Sequence, residues 1–238
     1  MKEMRLDLYL TKHFDIQSRN KANELIKAKK VKVDGKIVTK PSFKIYEDNN
    51  IELLEDEFYV SRAAYKLKYF IEEFNINLEN KEALDIGSST GGFTQILLEK
   101  NVKNVVCVDV GSNQLHERIK DDKRIVFYEN QDIRTFKSEK KFDLVTCDVS
   151  FISILNIIED INSHAKNEII ILFKPQFEVG TNIKRDKKGV VKDIKAITKS
   201  RDKFLDTCKL LGWNLKACAK SKLEGKDGNE EELFYFDK

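Results

Sequence analysis

The chain has 238 residues, of which 41% are hydrophobic and 35% are charged, and its formal net charge is +3. This length allows one large or two small domains with an apolar core. No apolar run reaches the roughly 20 residues of a membrane-spanning helix, and no hydrophobic segment follows the first residues as in a signal peptide. The 4 cysteines show no Cys-x-x-Cys spacing and the 3 histidines are scattered, which favours reduced thiols, a cytoplasmic location and no bound metal.

The positive charge is concentrated near the N-terminus. Residues 1–45 contain 12 Lys/Arg and 5 Asp/Glu, a net charge of +7, which leaves −4 for the remainder because the total is +3. This distribution indicates a basic module carried by a near-neutral body. The alternative is a lysine-rich surface that only contacts solvent.

Two short helices and a hairpin are predicted first along the chain. Residues 5–12 form an amphipathic pattern, and Ser18 occupies the N-cap position of a second helix over 19–28. Asp34-Gly35 then separates two alternating apolar segments, which is a strong signal for a type I′ hairpin turn. The start of the chain is therefore predicted to be a small α+β module.

This module resembles the S4 RNA-binding domain over roughly residues 4–50, through R-L-D, S-R-x-x-A-x-x-L-I and V-x-V-D-G. It departs from the family pattern at Lys30, where we expect the glycine that usually precedes the first strand. The resemblance implies that residues 1–58, including an acidic linker, bind RNA. The cations expected to contact RNA here are Arg5, Arg19, Lys21, Lys27, Lys29, Lys30, Lys32 and Lys36.

In residues 59–238, apolar strands alternate with helical patterns, which predicts a doubly wound parallel α/β sheet. An antiparallel pair of strands is expected to close this sheet. The predicted strands are 83–87, 105–110, 124–128, 142–148, 168–173, 215–219 and 231–236, and the predicted helices are 61–74, 93–100, 112–119, 152–165 and 194–211.

A glycine-rich loop, Asp85-Ile86-Gly87-Ser88-Ser89-Thr90-Gly91-Gly92-Phe93, joins the first strand of the body to a helix. Its glycines permit positive φ and close approach of a ligand to the backbone. The loop matches neither the dinucleotide pattern G-x-G-x-x-G nor the phosphate loop G-x-x-x-x-G-K-[ST]. An acidic residue before the loop and Asp109 at the next strand tip suit S-adenosylmethionine, which has a cationic amino-acid end, a ribose diol and no pyrophosphate. An ordinary turn tightened by glycine is the alternative.

The residues expected to contact this cofactor extend beyond the loop. Asp132 is expected near the adenine amino group, although it could equally be a helix cap. The full set is Asp85, Gly87, Ser88, Ser89, Thr90, Gly91, Gly92, Phe93, Asp109 and Asp132.

Asp148 and Lys174 each follow an apolar strand, at the edge of the sheet where open α/β proteins bind ligands. A lysine after a buried strand is uncommon, because burial disfavours its charge. Such a pair could remove the proton of a weakly acidic hydroxyl. Alternatively, each could be an exposed charge at a strand end.

These motifs together resemble the TlyA family, which is close to the FtsJ-type ribose methyltransferases. The resemblance implies a Rossmann-like class I S-adenosylmethionine-dependent methyltransferase domain over residues 59–238. It rests on Tyr59–Leu67, Asp85–Thr94, Cys147–Ser153, Lys174–Gly180, Gly189–Asp193 and Gly228–Glu231, besides the S4 module.

The resemblance implies 2′-O-methylation of a cytidine in ribosomal RNA by a tetrad of Lys66, Asp148, Lys174 and Glu231. Lys174 would act as base or orient the hydroxyl, the carboxylates would hold the lysines, and Lys66 would position the nucleotide. Glu230 and Glu232 flank the fourth member, and in a strand only one of the two orientations points into the site. The further RNA contacts expected in the body are Arg62, Lys184, Arg185, Lys187 and Lys188.

The expected partner is ribosomal RNA or a ribosomal subunit rather than DNA or a membrane, and the chain is expected to be a monomer. The resemblance implies that longer family members modify both subunits and shorter ones only the large one. Because this chain begins almost at the S4 motif and ends just after the last strand, the large subunit is expected. The alternatives are a catalytically weak RNA-binding assembly factor, a membrane-lytic hemolysin and a small-molecule methyltransferase; the last leaves the basic module unexplained.

Overall fold

The computed structural model describes residues 3–14, 16, 18–46, 48–54 and 59–238. The chain divides into two compact units, residues 1–58 and 59–238. Residues 55–58 of the predicted linker lie outside the described residues.

The N-terminal unit packs two helices against short strands around a small apolar core. Strand β1 pairs with β4, and β2 lies between β3 and β5 in a second sheet. Leu6, Leu10 and Ile26 are fully buried between the helices and strands. In chain order the elements are β1 Met4–Arg5, α1 Leu6–His13, α2 Arg19–Lys27, β2 Val31–Val33, β3 Lys36–Ile37, β4 Lys44–Ile45 and β5 Ile51–Leu53.

Two local predictions for this unit are confirmed. The Ser18 hydroxyl accepts a hydrogen bond from the backbone N–H of Lys21, as an N-cap does. Asp34 and Gly35 have φ of 50° and 75°, the left-handed values that a type I′ turn requires at both central positions.

The expected departure at Lys30 is wrong by one position. After helix α2 and its C-cap Ala28, Lys29 has a φ of 64°, and the N–H of Lys30 bonds back to the carbonyl of Leu25. The left-handed residue after a helix is the one that favours glycine, because glycine has no Cβ to clash there. Lys29 is therefore the residue that stands where glycine would be unstrained.

The body contains a seven-stranded sheet in the order β11-β12-β10-β9-β6-β7-β8, in which β12 runs in the direction opposite to the other six strands. This confirms the doubly wound class with a closing antiparallel pair. Its elements are α3 Arg62–Phe74, β6 Glu82–Ile86, α4 Gly92–Glu99, β7 Asn104–Val108, α5 Glu117–Lys120, β8 Ile125–Tyr128, β9 Phe142–Cys147, α6 Ile158–His164, β10 Ala165–Phe173, α7 Pro175–Glu178, α8 Ile194–Leu210, β11 Asn214–Lys220 and β12 Glu232–Asp237.

The strand order places an opening in the sheet edge. The order of the parallel strands reverses between β6 and β9, so the loops after these two strands leave on opposite faces. Two apolar clusters cover the two faces, one around Phe204, Trp213 and Phe236, the other around Phe70 and Phe93. A crevice therefore forms at the carboxyl ends of β6 and β9.

The helix predicted over 112–119 is mostly absent, and only the short α5 forms. The N–H groups of Gly111 and Asn113 donate to the side chains of Asp109 and Glu129 instead, and Asn113 has a φ of 52°. Such side-chain acceptors compete with helical hydrogen bonds. The helix predicted over 152–165 is also broken, into a 3₁₀ turn at Ile154–Asn156 followed by α6.

Candidate active site

Two adjoining cavities lie at the carboxyl ends of β6 and β9. The larger, of about 340 Å³, is lined by residues that include Asp109, Asp132 and Phe151. The smaller, of about 180 Å³, is lined by residues that include Ser61 and Lys174. Both cavities are lined by Gly87, Ser89, Asp148 and Ser150, so these residues form the boundary between them.

Gly87 and Gly92 allow close backbone packing around the cavities. Gly87 has a φ of 76°, and a Cβ on it would lie 2.8 Å from the carbonyl oxygen of Asp148. A Cβ on Gly92 would overlap the Ser61 hydroxyl at the start of α3. Any side chain at either position would push apart the segments that carry the polar residues of the site.

Asp109 is the acidic residue that holds the glycine loop in place. Its two carboxylate oxygens accept hydrogen bonds from the backbone N–H groups of Ser89, at 2.8 Å, and Gly111, at 2.7 Å. The side chain lines the larger cavity while being largely buried. Asp109 thus lies at the strand tip, where the hydroxyls of a ligand diol could donate to its carboxylate in place of these N–H groups.

Asp132 also lines the larger cavity, but no helix follows it. Its carboxylate accepts hydrogen bonds from the N–H of Arg134, at 2.9 Å, and from the Arg134 guanidinium. Hydrogen bonding from Arg134 lowers the pKa of the Asp132 carboxyl. Its capping role is therefore limited to a turn.

Asp85 does not line either cavity, contrary to the expectation that it faces the ligand. Its carboxylate is fully buried and accepts hydrogen bonds from the hydroxyls of Thr94, at 2.6 Å, and Thr146, at 2.8 Å. Burial raises the pKa of Asp85 to about 6. Through these two hydrogen bonds the carboxylate of Asp85, in β6, is joined to α4 and β9 beneath the loop. It can therefore affect a ligand only indirectly, by holding the loop in place.

Some of the other loop residues line a cavity, whereas Gly91 packs against the protein interior. Ser89, Thr90 and Phe93 line the smaller cavity. Gly91 has a φ of 89°, and a Cβ on it would overlap Ile119 rather than face a cavity. Ser88 is buried at the same cavity wall.

Lys174 and Asp148 form an ion pair at the boundary of the two cavities. Lys174 Nζ lies 2.6 Å from Asp148 Oδ1 and donates to the Ser150 hydroxyl at 3.0 Å. Their side chains are only 11% and 14% exposed. β9 and β10 are adjacent and parallel, so their carboxyl ends bring the two residues to one edge.

Lys66 and Glu231 form a second ion pair, which is almost completely buried. The second oxygen of the Glu231 carboxylate accepts a hydrogen bond from the Gln176 amide at 3.2 Å. Glu230 instead pairs with Lys220, and Glu232 pairs with Arg201. Of the three consecutive glutamates, only Glu231 reaches Lys66.

Gln176 connects the two ion pairs, because it lies two residues after Lys174 and contacts Glu231. Sequence reasoning did not single out Gln176, Ser150, Phe151 or Glu178. All four lie within the motifs D-V-S-F-I-S and K-P-Q-F-E. Their closeness in sequence to Asp148 and Lys174 was therefore the feature that could have identified them as site residues.

The basic loop at residues 184–188 contains one anchoring residue and three exposed lysines. The Arg185 guanidinium donates to the carbonyl oxygens of Ile183, Gln176 and Gly180. Lys184, Lys187 and Lys188 are exposed. The loop is therefore held against α7 by its arginine and presents its lysines to solvent.

In the N-terminal unit, Arg5 and Arg19 share one buried carboxylate. Both guanidinium groups donate to Asp7, which is fully buried, while the arginine side chains remain 44% and 50% exposed. Hydrogen bonding from Arg5 lowers the pKa of Asp7. Among the other cations proposed to contact RNA, Lys30 and Lys32 are half-buried, and Lys21, Lys27, Lys29, Lys36 and, in the body, Arg62 are exposed.

Family models match both units. A model of the S4 domain matches residues 4–50, and a model described as FtsJ-like methyltransferase matches residues 59–238. The strand order, the glycine loop and this match define the body as a methyltransferase of the doubly wound class.

Among curated proteins, the chain is 51% identical to the 23S rRNA (cytidine-2'-O)-methyltransferase TlyA of Campylobacter jejuni, over 98% of this chain and 99% of the relative. It is 35% identical to the 16S/23S rRNA (cytidine-2'-O)-methyltransferase TlyA of Mycobacterium tuberculosis, over 95% of this chain and 87% of the relative. The chain therefore belongs to the TlyA family of FtsJ-like methyltransferases.

A solved structure of a protein named as a hemolysin, from Streptococcus thermophilus, shares 30% identity and has a TM-score of 0.71. The match covers 100% of this chain and 89% of that one. Within the described residues, no helix has the length and apolar character needed to cross a membrane.

Proposed function

We propose that this methyltransferase uses S-adenosylmethionine to methylate the ribose 2′-hydroxyl of a cytidine in ribosomal RNA, and that it acts in the cytoplasm. The observation that carries the proposal is the Lys174–Asp148 pair at the boundary of the two cavities. A cofactor in the larger cavity and a ribose at its mouth would meet at this pair. A second buried ion pair, between Lys66 in α3 and Glu231 just before β12, also supports the proposal.

The residues around the larger cavity fit the cofactor. Gly87 leaves the loop backbone without a side chain at the cavity wall, and Asp109 presents carboxylate oxygens there. A volume of about 340 Å³ lies within the range of small-molecule sites. Gly87, Ser89, Asp109 and Asp132 would hold the cofactor, whose sulfonium supplies an electrophilic methyl group when it is bound.

The chain's own residues would align and deprotonate the nucleophile. With its amine neutral, Lys174 Nζ would accept the hydroxyl proton, and as an ammonium it would orient the hydroxyl; Asp148 and Ser150 fix its position. Glu231 and Gln176 hold Lys66, which would position the nucleotide. Alignment contributes several kcal/mol, up to about 7–11 kcal/mol in well-oriented reactions, and positioned proton transfer adds about 10²–10⁴-fold.

RNA recognition is assigned to the N-terminal unit and the exposed lysines of the basic loop. Arg5 and Arg19 present guanidinium groups whose direction is set by Asp7. Such planar donors suit phosphate oxygens. The large-subunit RNA is the favoured substrate, because the more similar of the two curated relatives carries a 23S rRNA name.

The test uses labelled S-adenosylmethionine, the purified full chain, and separate ribosomal subunits from a strain lacking the enzyme. We expect label on one ribose of the large-subunit RNA, mapped by resistance to alkaline cleavage. Lys174→Ala should lower the transfer rate by at least about 10²-fold.

The matched control is Lys166→Ala, which also breaks a Lys–Asp pair, with Asp143, but at the opposite end of β9 and β10. It should transfer methyl groups at the wild-type rate. Label on the small subunit instead would overturn the substrate assignment. Cofactor binding without label on either subunit would favour an RNA-binding assembly factor.

A further inference from the structure

Two segments at the edge of the site, residues 148–154 after β9 and residues 174–178 after β10, are joined at successive points. Lys174 pairs with Asp148 at 2.6 Å and donates to the Ser150 hydroxyl at 3.0 Å. The rings of Phe151 and Phe177 follow, with centroids 5.2 Å apart. The last junction is formed by Glu178, which is not one of the proposed catalytic residues.

Glu178 binds the far end of the first segment with both of its carboxylate oxygens. One accepts a hydrogen bond from the Ser153 hydroxyl at 2.6 Å, the other from the backbone N–H of Ile154 at 2.9 Å. That N–H opens the 3₁₀ turn at Ile154–Asn156 and has no partner within the turn. Burial raises the pKa of the Glu178 carboxyl, and both contacts are of the kind that a carboxylate accepts strongly.

The segment that Glu178 holds, residues 148–154, contains a strained backbone conformation at Phe151. Phe151 has a φ of 66° and a side chain that is 92% exposed, so neither its backbone preference nor burial maintains this conformation. A non-glycine residue in this region is strained, and the conformation persists only when its surroundings fix it. The fixed points are the Asp148–Lys174 pair on one side and Glu178 on the other.

We propose that Glu178 is a positioning residue for methyl transfer: its carboxylate fixes segment 148–154 against segment 174–178 and thereby sets Asp148 and Ser150 around the Lys174 amine. This inference rests on the proposed function of the Lys174–Asp148 pair. Glu178 itself lines neither cavity, so it acts through its neighbours.

The strands behind this junction do not depend on Glu178. β9 and β10 pair through backbone hydrogen bonds, with Ile169 opposite Val145 and Ile171 opposite Cys147, and their side chains are buried. Loss of the Glu178 contacts should loosen only the segments beyond the strand ends. A misplacement of about 1 Å there is enough to lower a rate by about 10²-fold.

The test compares Glu178→Ala, Glu178→Gln and Ser153→Ala in steady-state methyl transfer to the RNA substrate. We expect Glu178→Ala to lower kcat by about 10²-fold with a smaller effect on KM for RNA, since the Glu178 carboxylate bonds to Ser153 and Ile154 rather than to a cation proposed to contact RNA. Ser153→Ala should give a smaller loss. The double variant should be no slower than Glu178→Ala, because both changes break one junction.

Glu178→Gln should recover most of the rate, because its amide can accept from Ile154 N–H and donate to the Ser153 hydroxyl. The control is Glu168→Ala, which removes a half-buried carboxylate that holds Lys81 and Tyr235 near the start of β10. It should lower thermal stability without a matching loss of kcat.

Wild-type kcat for Glu178→Ala, or equal losses for Glu178→Ala and Glu168→Ala, would overturn the positioning role. Failure of the wild-type chain to methylate RNA would instead overturn the proposed function. The two failures are therefore distinguishable.

Discussion

The Asp85 carboxylate lies beneath the glycine loop, where it accepts hydrogen bonds from the hydroxyls of Thr94 and Thr146. Burial is the largest influence on it and raises its pKa to about 6. Because the folded-state pKa is higher than the unfolded one, the folded body binds this proton more tightly. Asp85 therefore disfavours folding above its folded pKa, and this cost decreases as the pH falls from neutral towards the unfolded pKa of about 4.

Asp85→Asn tests this linkage. Relative to the variant, the wild-type body should gain about 1 kcal/mol of unfolding free energy between about pH 7 and about pH 5. Urea unfolding followed by Trp213 fluorescence reports on the body alone, since Trp213 is the single tryptophan and is buried there.

Asp132→Asn is the matched control for Asp85. The Arg134 contact lowers the pKa of Asp132, so its contribution is lost only as the pH falls below the ordinary carboxyl range. The wild-type and Asp132→Asn unfolding energies should keep a constant difference between about pH 7 and about pH 5. A constant difference for Asp85→Asn as well would contradict the assignment of a raised pKa to Asp85.

Phe151 is the exposed aromatic residue at the mouth of the larger cavity, in a left-handed backbone conformation beside Phe177. For an RNA substrate, such a ring is a stacking surface for a base, worth about 1–3 kcal/mol. Phe151→Ala should lower kcat/KM for RNA by about ten- to a hundredfold, while Phe151→Tyr should retain it. Leu210→Ala, which alters another exposed apolar residue, should leave kcat/KM unchanged; equal behaviour of Phe151→Ala would contradict the stacking role.

At the scale of elements, the central strands were predictable because each is buried on both faces and reads as a continuous apolar run. The juxtaposition of Asp148 and Lys174 followed from their positions after neighbouring strands. The loss of helix over 112–119 was not predictable in this way, because the side chain of Glu129, distant in sequence, accepts the backbone N–H of Asn113.

The orientation of Asp85 was not predictable either, since one of its two donors, Thr146, is distant in sequence and meets it only across the sheet. The pairing of Lys66 with Glu231 joins α3 to the last strand pair, 165 residues apart. Family resemblance indicated it, whereas periodicity did not. Local patterns thus predicted the elements, while contacts between distant elements decided which polar side chains face the cavities.

The end of α2 offers a prediction at this same scale. Lys29 holds a left-handed conformation that costs a non-glycine residue about 1 kcal/mol. Lys29→Gly should therefore stabilise the N-terminal unit by about 1 kcal/mol, measured as slower amide hydrogen exchange in α2. Lys29→Ala removes the same charge but keeps the strain and should give no such gain; a gain for both would assign the effect to charge.

At the scale of the whole molecule, the net charge and the positions of the charged residues lead to different expectations for RNA binding. The chain carries only +3, yet exposed cations are grouped in the N-terminal unit and at the basic loop. Arg185 donates to three backbone carbonyls, so the lysines beside it are the groups free to meet phosphates. Counterion release then makes RNA affinity depend on where the cations lie.

Replacing Lys184, Lys187 and Lys188 by Ala should reduce the slope of log affinity against log salt by about two to three. Replacing Lys137, Lys140 and Lys141, which are exposed before the start of β9, removes the same charge at the opposite edge of the sheet. That second variant should keep the wild-type slope. Filter binding to the target RNA over a salt series measures both, and equal slopes for the two variants would show that total charge, rather than the basic loop, governs RNA binding.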